Sequence, residues 1–329
     1  MTMPATFRLM PVALIFGLLL VHPQVAEAKK VRIALGDIES VETLNLMIAF
    51  ENARARGVDI ELTSFKSEDI ANQAVVNAQA DIGIGTPYAV IQKAKAPIRI
   101  IFQLSTLQFY PVVNSEYYKS WKDLDGQDIV VHSRTSGTLA LANLMAMKQG
   151  IKYKNISYVP GSEVRALAML KGTIKATYLD AVNKDFLMKK APGKFMVLPR
   201  GDATASDEAL FASQAYLDAN AETVGIILEE VLKIWRKGKA DPNYIVSERK
   251  RLGLLKELPA DLEKEILPFY QLAAKGGMHP SDGGGANAAR IDLDFYTVAG
   301  QLEGPADQLK IRDYWDLKPL NKALAKLGN

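Results

Sequence analysis

From residue 31 onward, short apolar runs alternate with stretches whose apolar residues repeat at helical spacing. VRIAL (31–35) is an apolar run closed by Gly36-Asp37. Apolar residues at 41, 44, 47 and 48 then recur at i, i+3 and i+4, which predicts a helix over 41–56 that Gly57 stops. The alternation continues with a strand at 59–65, a helix at 68–79, a strand at 81–85, a helix at 87–95 and a strand at 98–104. This βαβαβαβ order predicts a parallel sheet with helices on both faces. A second cycle starts near residue 111: strands at 111–114, 128–132, 156–159, 175–179 and 195–198, with helices at 137–148, 163–170 and 183–190. After Leu210 the pattern turns helical, over 216–237, 242–252, 260–275 and 287–303. The class is α/β, with two lobes. Two short crossings, near 106–112 and 199–212, are the natural joints, so the first lobe is discontinuous.

The N-terminal segment follows a different plan. Arg8 precedes an apolar run, LMPVALIFGLLLV (9–21), and Ala26-Glu27-Ala28 gives an A-x-A cleavage pattern. This is the layout of a secretory signal peptide, and the run is shorter than the ~20 residues that span a bilayer. The expectation is a cleavable signal peptide over 1–28, cleavage after Ala28 and a periplasmic location.

Composition removes several function classes. The 329 residues include 48% hydrophobic and 23% charged residues, a globular balance. Forty Lys and Arg against 37 Asp and Glu leave a net charge of +3, scattered rather than striped. That does not make a nucleic-acid footprint. There is no cysteine, which excludes thiol catalysis, disulfides, iron–sulfur clusters and cysteine-based zinc sites. The phosphate-loop pattern is absent, because Gly193-Lys194 and Gly238-Lys239 are followed by Phe and Ala. Gly83-Ile-Gly85 begins like a dinucleotide fingerprint but has Tyr88 at the third glycine. His132 and Ser133 are neighbours on a strand end and point to opposite faces, so they do not form a catalytic pair. His279 lacks companions for a metal site, and Asp123-Leu-Asp125 lacks the spacing of a calcium loop. The expectation is therefore no catalytic residue, no metal and no cofactor.

One constellation carries chemistry. DIVVH is followed by Ser133, Arg134, Thr135, Ser136, Gly137 and Thr138, and then by a long apolar helix. Free N–H groups of a first helical turn favour an anion, the hydroxyls add donors, and Arg134 offers a two-pronged contact to a carboxylate or sulfonate. Alternatively, Ser136 caps the helix and Arg134 is solvated. Two other strand-to-helix corners resemble it: Asp37, Glu39 and Ser40 after the first strand, and Thr86 after the third. Ligands of open parallel sheets bind beyond the carboxyl ends of the strands. Two lobes would bring these corners face to face across a cleft, with Asp37, Glu39 and Asp180 meeting an amine or hydroxyl or serving as helix caps. An aromatic carboxylate could also stack near Tyr88 or Phe109.

Several stretches resemble the periplasmic substrate-binding proteins of ABC importers, of the nitrate/sulfonate/taurine type, a family that includes proteins for the thiamine pyrimidine precursor. They are ADIGIGTPYAVIQKAKAPIRII (80–101), KSWKDLDGQDIVVHSRTSGT (119–138), LKGTIKATYLDAVNKDFLMKK (170–190) and IDLDFYTVAGQLEG (291–304). The resemblance implies a type II periplasmic binding protein fold with hinge closure. It implies a first lobe over 29–108 plus 207–329 and a second over 109–206. It implies ligand contacts from 36–40, Thr86, 133–138 and Asp180, where Lys175 departs from the acidic residue common before Ala176. The partners it implies are a small organic anion or zwitterion and a membrane permease with a separate ATPase, served by a monomer. The same ligand-binding lobes could instead report to a membrane sensor. An enzyme of the pyrimidine-synthase kind is disfavoured by the absence of cysteine.

Overall fold

The computed structural model describes Met1, residues 30–200 and residues 204–328. The expected signal peptide lies outside the described residues, apart from Met1. In the first cycle β1 (Val31–Leu35), α1 (Leu44–Ala55), β2 (Ile60–Ser64), α2 (Glu68–Val76), β3 (Ile82–Gly85), α3 (Tyr88–Lys93) and β4 (Ile98–Gln103) follow the sequence expectation closely. The second cycle comprises β5 (Tyr110–Asn114), β6 (Asp128–Val131), α4 (Gly137–Gln149), β7 (Asn155–Tyr158), α5 (Ser162–Leu170), β8 (Ala176–Leu179), α6 (Ala181–Lys190) and β9 (Phe195–Val197). The return to the first lobe begins with β10 (Ala209–Ser213), which the hydrophobic pattern alone does not separate from the helical region after it. Then come α7 (Gln214–Ala219), α8 (Ala221–Ala240), α9 (Asn243–Leu252), α10 (Ala260–Glu263), α11 (Ile266–Gly276), α12 (Gly285–Val298), α13 (Ile311–Tyr314) and α14 (Lys318–Leu327).

The strands form two five-stranded sheets, ordered β2-β1-β3-β10-β4 and β7-β6-β8-β5-β9. Both are mixed, which corrects the all-parallel expectation. β1 is parallel to β2 and β3, but β10 runs antiparallel between β3 and β4. In the second sheet β5 is antiparallel to β8 and β9. The cause is the path of the chain. Each crossing delivers a strand into a sheet from its far end, so that strand enters reversed.

Helix α8 shows how the first lobe is covered. Val224, Ile227, Leu228, Val231, Leu232 and Trp235 repeat along one face at helical spacing, and all are buried. They join α1, α11 and the sheet in one apolar cluster. A second cluster runs from Ile98 and Ile100 through Leu107, on the first crossing, to Val131 and Leu139 of the second lobe. The lobes are therefore packed together as well as tethered.

The second crossing is held by a buried polar knot. Asp292 on α12 accepts hydrogen bonds from Ser206 N and Ser206 Oγ, both at 2.6 Å, and from the hydroxyl of Tyr88. Tyr296 Oη donates to Ser206 O at 2.5 Å, and Trp315 Nε1 donates to Tyr88 Oη at 3.0 Å. Burial pushes the Asp292 carboxyl up to about 6, against the pull of its donors. Asp292 and Tyr296 belong to the stretch 291–304, so that segment fixes the joint between the lobes.

No helix among the described residues is long and apolar enough to cross a membrane.

Candidate functional site

Strand ends from both lobes meet at one edge, and a cleft lies between them. Its cavity volume is about 60 Å³, and it opens to solvent. Asp37 follows β1, and Glu42 and Asn45 flank the start of α1. Glu68 opens α2, and Leu104 to Phe109 carry the first crossing. The second lobe supplies His132, Ser136, Thr138 and Asp180. Asp207 and Glu208 come last. They precede β10, and because that strand is reversed its N-terminal end sits at the edge where the parallel strands finish. Trp235, Phe269, Met278 and His279 form an apolar and aromatic side of the wall. His279 lies edge-on to Trp235, with ring centroids 5.2 Å apart.

The wall is acidic. Asp37, Glu42, Glu68, Asp180, Asp207 and Glu208 all line it, and no lysine or arginine does among the described residues. Burial pushes the Asp37 carboxyl up to about 6 and the Asp207 carboxyl up to about 8. Burial, reinforced by the neighbouring acids, holds the carboxyls of Glu42, Glu68 and Glu208 well above the usual range. Some of these groups have donors. Glu68 Oε2 accepts from Thr86 N at 2.7 Å, and Asp37 Oδ1 accepts from Ile38 N at 2.8 Å. Asp180 caps α6, with Oδ1 accepting from Val182 N and Asn183 N and Oδ2 from Asn183 Nδ2. The nearby buried cation, Arg165, spends its guanidinium on Tyr178 O, Val159 O and Ser162 Oγ. Burial lowers its pKa, and it does not reach the cavity wall. His132 and His279 are neutral, because burial lowers both to about 4.

The sequence-predicted residues divide into two groups. Asp37, Phe109, Ser136, Thr138 and Asp180 stand on the wall. Glu39, Ser40, Thr86, Ser133, Arg134, Thr135 and Gly137 do not. Glu39 is exposed, and Ser40 shapes the turn before α1 by bonding to Thr43 and Glu42. Thr86 is buried behind Glu68 and donates to Asp207 O at 2.8 Å.

The turn 133–138 is the main correction. Some of its donors are already used by the protein, while Ser133 Oγ is buried without a partner among the described residues. Asp69 on α2 accepts from Thr135 Oγ1 at 2.8 Å and from Arg134 N at 3.2 Å. Ser136 caps α4, accepting from Leu139 N. At Gly137 the helix start is closely covered: a Cβ there would fall 2.3 Å from Leu107 Cδ2 and 2.8 Å from Asp207 Oδ1. Arg134 is exposed and lies over the Tyr158 ring, 4.7 Å from its centroid, away from the cavity. The capping alternative therefore describes Ser136, and Arg134 rests on Tyr158 rather than on the cavity wall.

The same contacts hold the lobes together. Asn72 Nδ2 reaches Thr135 Oγ1 at 3.3 Å, and Gln301 Nε2 reaches Ser136 O at 3.2 Å. His132 Nε2 meets Gly36 O at 3.2 Å. Gly36 permits this closeness, since a Cβ there would stand 2.8 Å from both Glu68 Cα and Ile84 O.

Sequence reasoning missed Glu42, Glu68, Asp207, Glu208 and the aromatic wall. Glu68 reads as an ordinary first-turn acid, and Asp207-Glu208 as part of a crossing. Neither has a motif.

The comparisons agree with this architecture. The model of the NMT1/THI5-like family matches residues 54–245, and the chain belongs to that family. A comparison with curated proteins finds no match. Among solved structures, a Bordetella bronchiseptica protein is similar over 92% of this chain and 99% of its own, at 21% identity and TM-score 0.75. The nitrate-binding protein NrtA of Synechocystis aligns over 92% of this chain and 90% of its own, at 12% identity and TM-score 0.68. The alkanesulfonate-binding protein SsuA of Xanthomonas axonopodis pv. citri, bound to MOPS, aligns over 85% and 96%, at 17% identity and TM-score 0.61. The fold is that of the periplasmic binding proteins, with two α/β lobes and a cleft between them.

Proposed function

We propose that the chain is the extracytoplasmic solute-binding component of an ABC importer. It is exported by a signal peptide over 1–28 and acts as a monomer. It takes up a small organic solute between a first lobe (29–108 plus 207–329) and a second lobe (109–206), and delivers it to a membrane permease driven by a separate ATPase. The observation that carries this reading is the cleft itself, which is walled by both lobes and set at the strand ends. Closing such a cleft excludes water and strengthens each polar contact to the solute. Among the described residues no nucleophile–base pair is hydrogen-bonded on its wall, which favours capture over catalysis. A sulfonate, carboxylate or zwitterion remains one class of solute for this reading: Asp69 takes Arg134 N and Thr135 Oγ1, and Ser133 Oγ is left without a partner among the described residues.

The test is a thermal-shift screen with sulfonates, nitrate, carboxylates, amino acids, amines and pyrimidines. A bound solute at 100 times its dissociation constant adds about 2.7 kcal/mol of stability. Hits should also reduce the radius of gyration in solution scattering. A flat screen with unchanged scattering would count against solute capture.

A further inference from the structure

The cavity is acidic where an anion-binding site would be basic, and this distinguishes its ligand by charge. Six carboxyl groups face one enclosed space without a lysine or arginine on the wall among the described residues. Glu42 of the first lobe and Asp180 of the second line the same cleft. Like charges in an enclosed site demand protons or a counter-charge. If the lobes close over the solute as proposed above, a cation between these groups would favour the closed form.

A second observation agrees. His132 is 8% exposed and stands on the wall. Its Nε2 faces Gly36 O, which can only accept, so Nε2 carries the proton. Nδ1 is then an acceptor with no donor among the described residues. It asks for an N–H from the ligand, as the carboxylates do. Asn45, 3% exposed on the same wall, accepts at Oδ1 from Leu46 N, and its Nδ2 is a donor that would meet an acceptor atom elsewhere on the ligand rather than its cationic end. The acids are dispersed around the wall: among the described residues, no three acidic or imidazole groups converge as metal ligands would. Trp235, Phe269 and Met278 line the same cleft.

We infer that the ligand is a small organic cation, an amine, amidine or guanidine. Its charged N–H end sits among Asp37, Glu42, Asp180, Asp207 and Glu208, and its carbon body lies against Trp235 and Phe269. This rests on the solute-binding reading above and narrows it. An ammonium or guanidinium between carboxylates makes charge-assisted hydrogen bonds, and an aromatic face adds cation–π attraction.

The experiment compares matched probes on the purified protein: agmatine, 1,4-diaminobutane and benzylamine against butanesulfonate, benzoate and nitrate. The expected result is a rise in melting temperature with at least one amine and none with the anions. Calorimetry should then show that Glu208→Gln and Glu42→Gln each weaken the responding amine by about tenfold or more, as for one lost charge-assisted bond. Both substitutions keep the side-chain shape, and circular dichroism checks that each variant is folded. A response only to the anions overturns the cation assignment and leaves solute binding standing. An amine response that neither substitution alters places the amine elsewhere and also overturns it. A response to none of these probes overturns the cation assignment, and a flat broad screen removes solute binding as well.

Discussion

Two strand-to-helix corners face each other across the cleft. At residues 133–138 a strand ends, hydroxyl residues follow and a helix begins. At residues 36–43 the same grammar recurs. The first corner is rich in donors, yet several are taken within the chain: Asp69 accepts from Arg134 N and Thr135 Oγ1, and Ser136 caps α4. The second corner opens onto the cavity through Asp37 and Glu42, where acceptors outnumber donors. The difference teaches that an anion-binding motif can be satisfied from within the same chain. What remains free for a solute is set by which partner groups the opposite lobe brings.

The contrast depends first on the knot that fixes Asp207 and Glu208. Asp292→Ala would strand Ser206 N, Ser206 Oγ and the Tyr88 hydroxyl in a buried place, each costing about 1–3 kcal/mol. Urea unfolding should show a total loss of about 3 kcal/mol or more, the largest effect expected.

The acidic corner should next reveal itself in pH dependence. A carboxyl whose folded pKa is raised holds its proton more tightly folded than unfolded. Its stabilisation is full below the unfolded value and is lost as pH rises through the folded one, about 6 for Asp37 and about 8 for Asp207. The two lowered histidines act in the opposite direction, costing stability as pH falls from 6.5 toward about 4. Between about pH 6.5 and 8 the acids therefore act without them. The melting temperature of the ligand-free protein should fall across that window, and Asp207→Asn should flatten the slope.

The donor corner should respond to loss of its cap and of its bridge. Ser136→Ala removes the acceptor for Leu139 N and should cost about 1–2 kcal/mol in unfolding free energy. Thr135→Val breaks the bond to Asp69 and should cost about 1 kcal/mol while loosening the contact between lobes, seen as a larger radius of gyration. The smallest effect belongs to Arg134→Ala. An exposed residue over a ring contributes about 0.5–1 kcal/mol, and solute affinity should not change. A clamp on an acid group would instead lose about 1.5–3 kcal/mol of binding, so calorimetry separates the two descriptions.

Legibility varied with the range of the interactions involved. Strands such as Val31–Leu35 and helices such as Gly137–Gln149 were readable because apolar spacing and capping residues are local. Asp37 and Asp180 were also readable, as polar residues directly after strands. Ala209–Ser213 was not, because ALFAS is short, buried and followed at once by helix. Arg134 misled because its local setting suits an anion, while Tyr158 and Asp69, which decide its surroundings, are distant in sequence.

The sequence by itself determined the alternation of strands and helices, the two α/β cycles, the absence of thiol chemistry and the short hydroxyl turns at strand ends. Each follows from neighbouring residues, whose spacing sets burial and capping. Only the tertiary structure decided the charge of the cleft. Glu42, Glu68, Asp180 and the pair Asp207-Glu208 come from four separate places in the chain. Their effect on one another begins only when two sheets, one reversed strand and a buried aspartate bring them to the wall of one cleft, where burial makes charge costly.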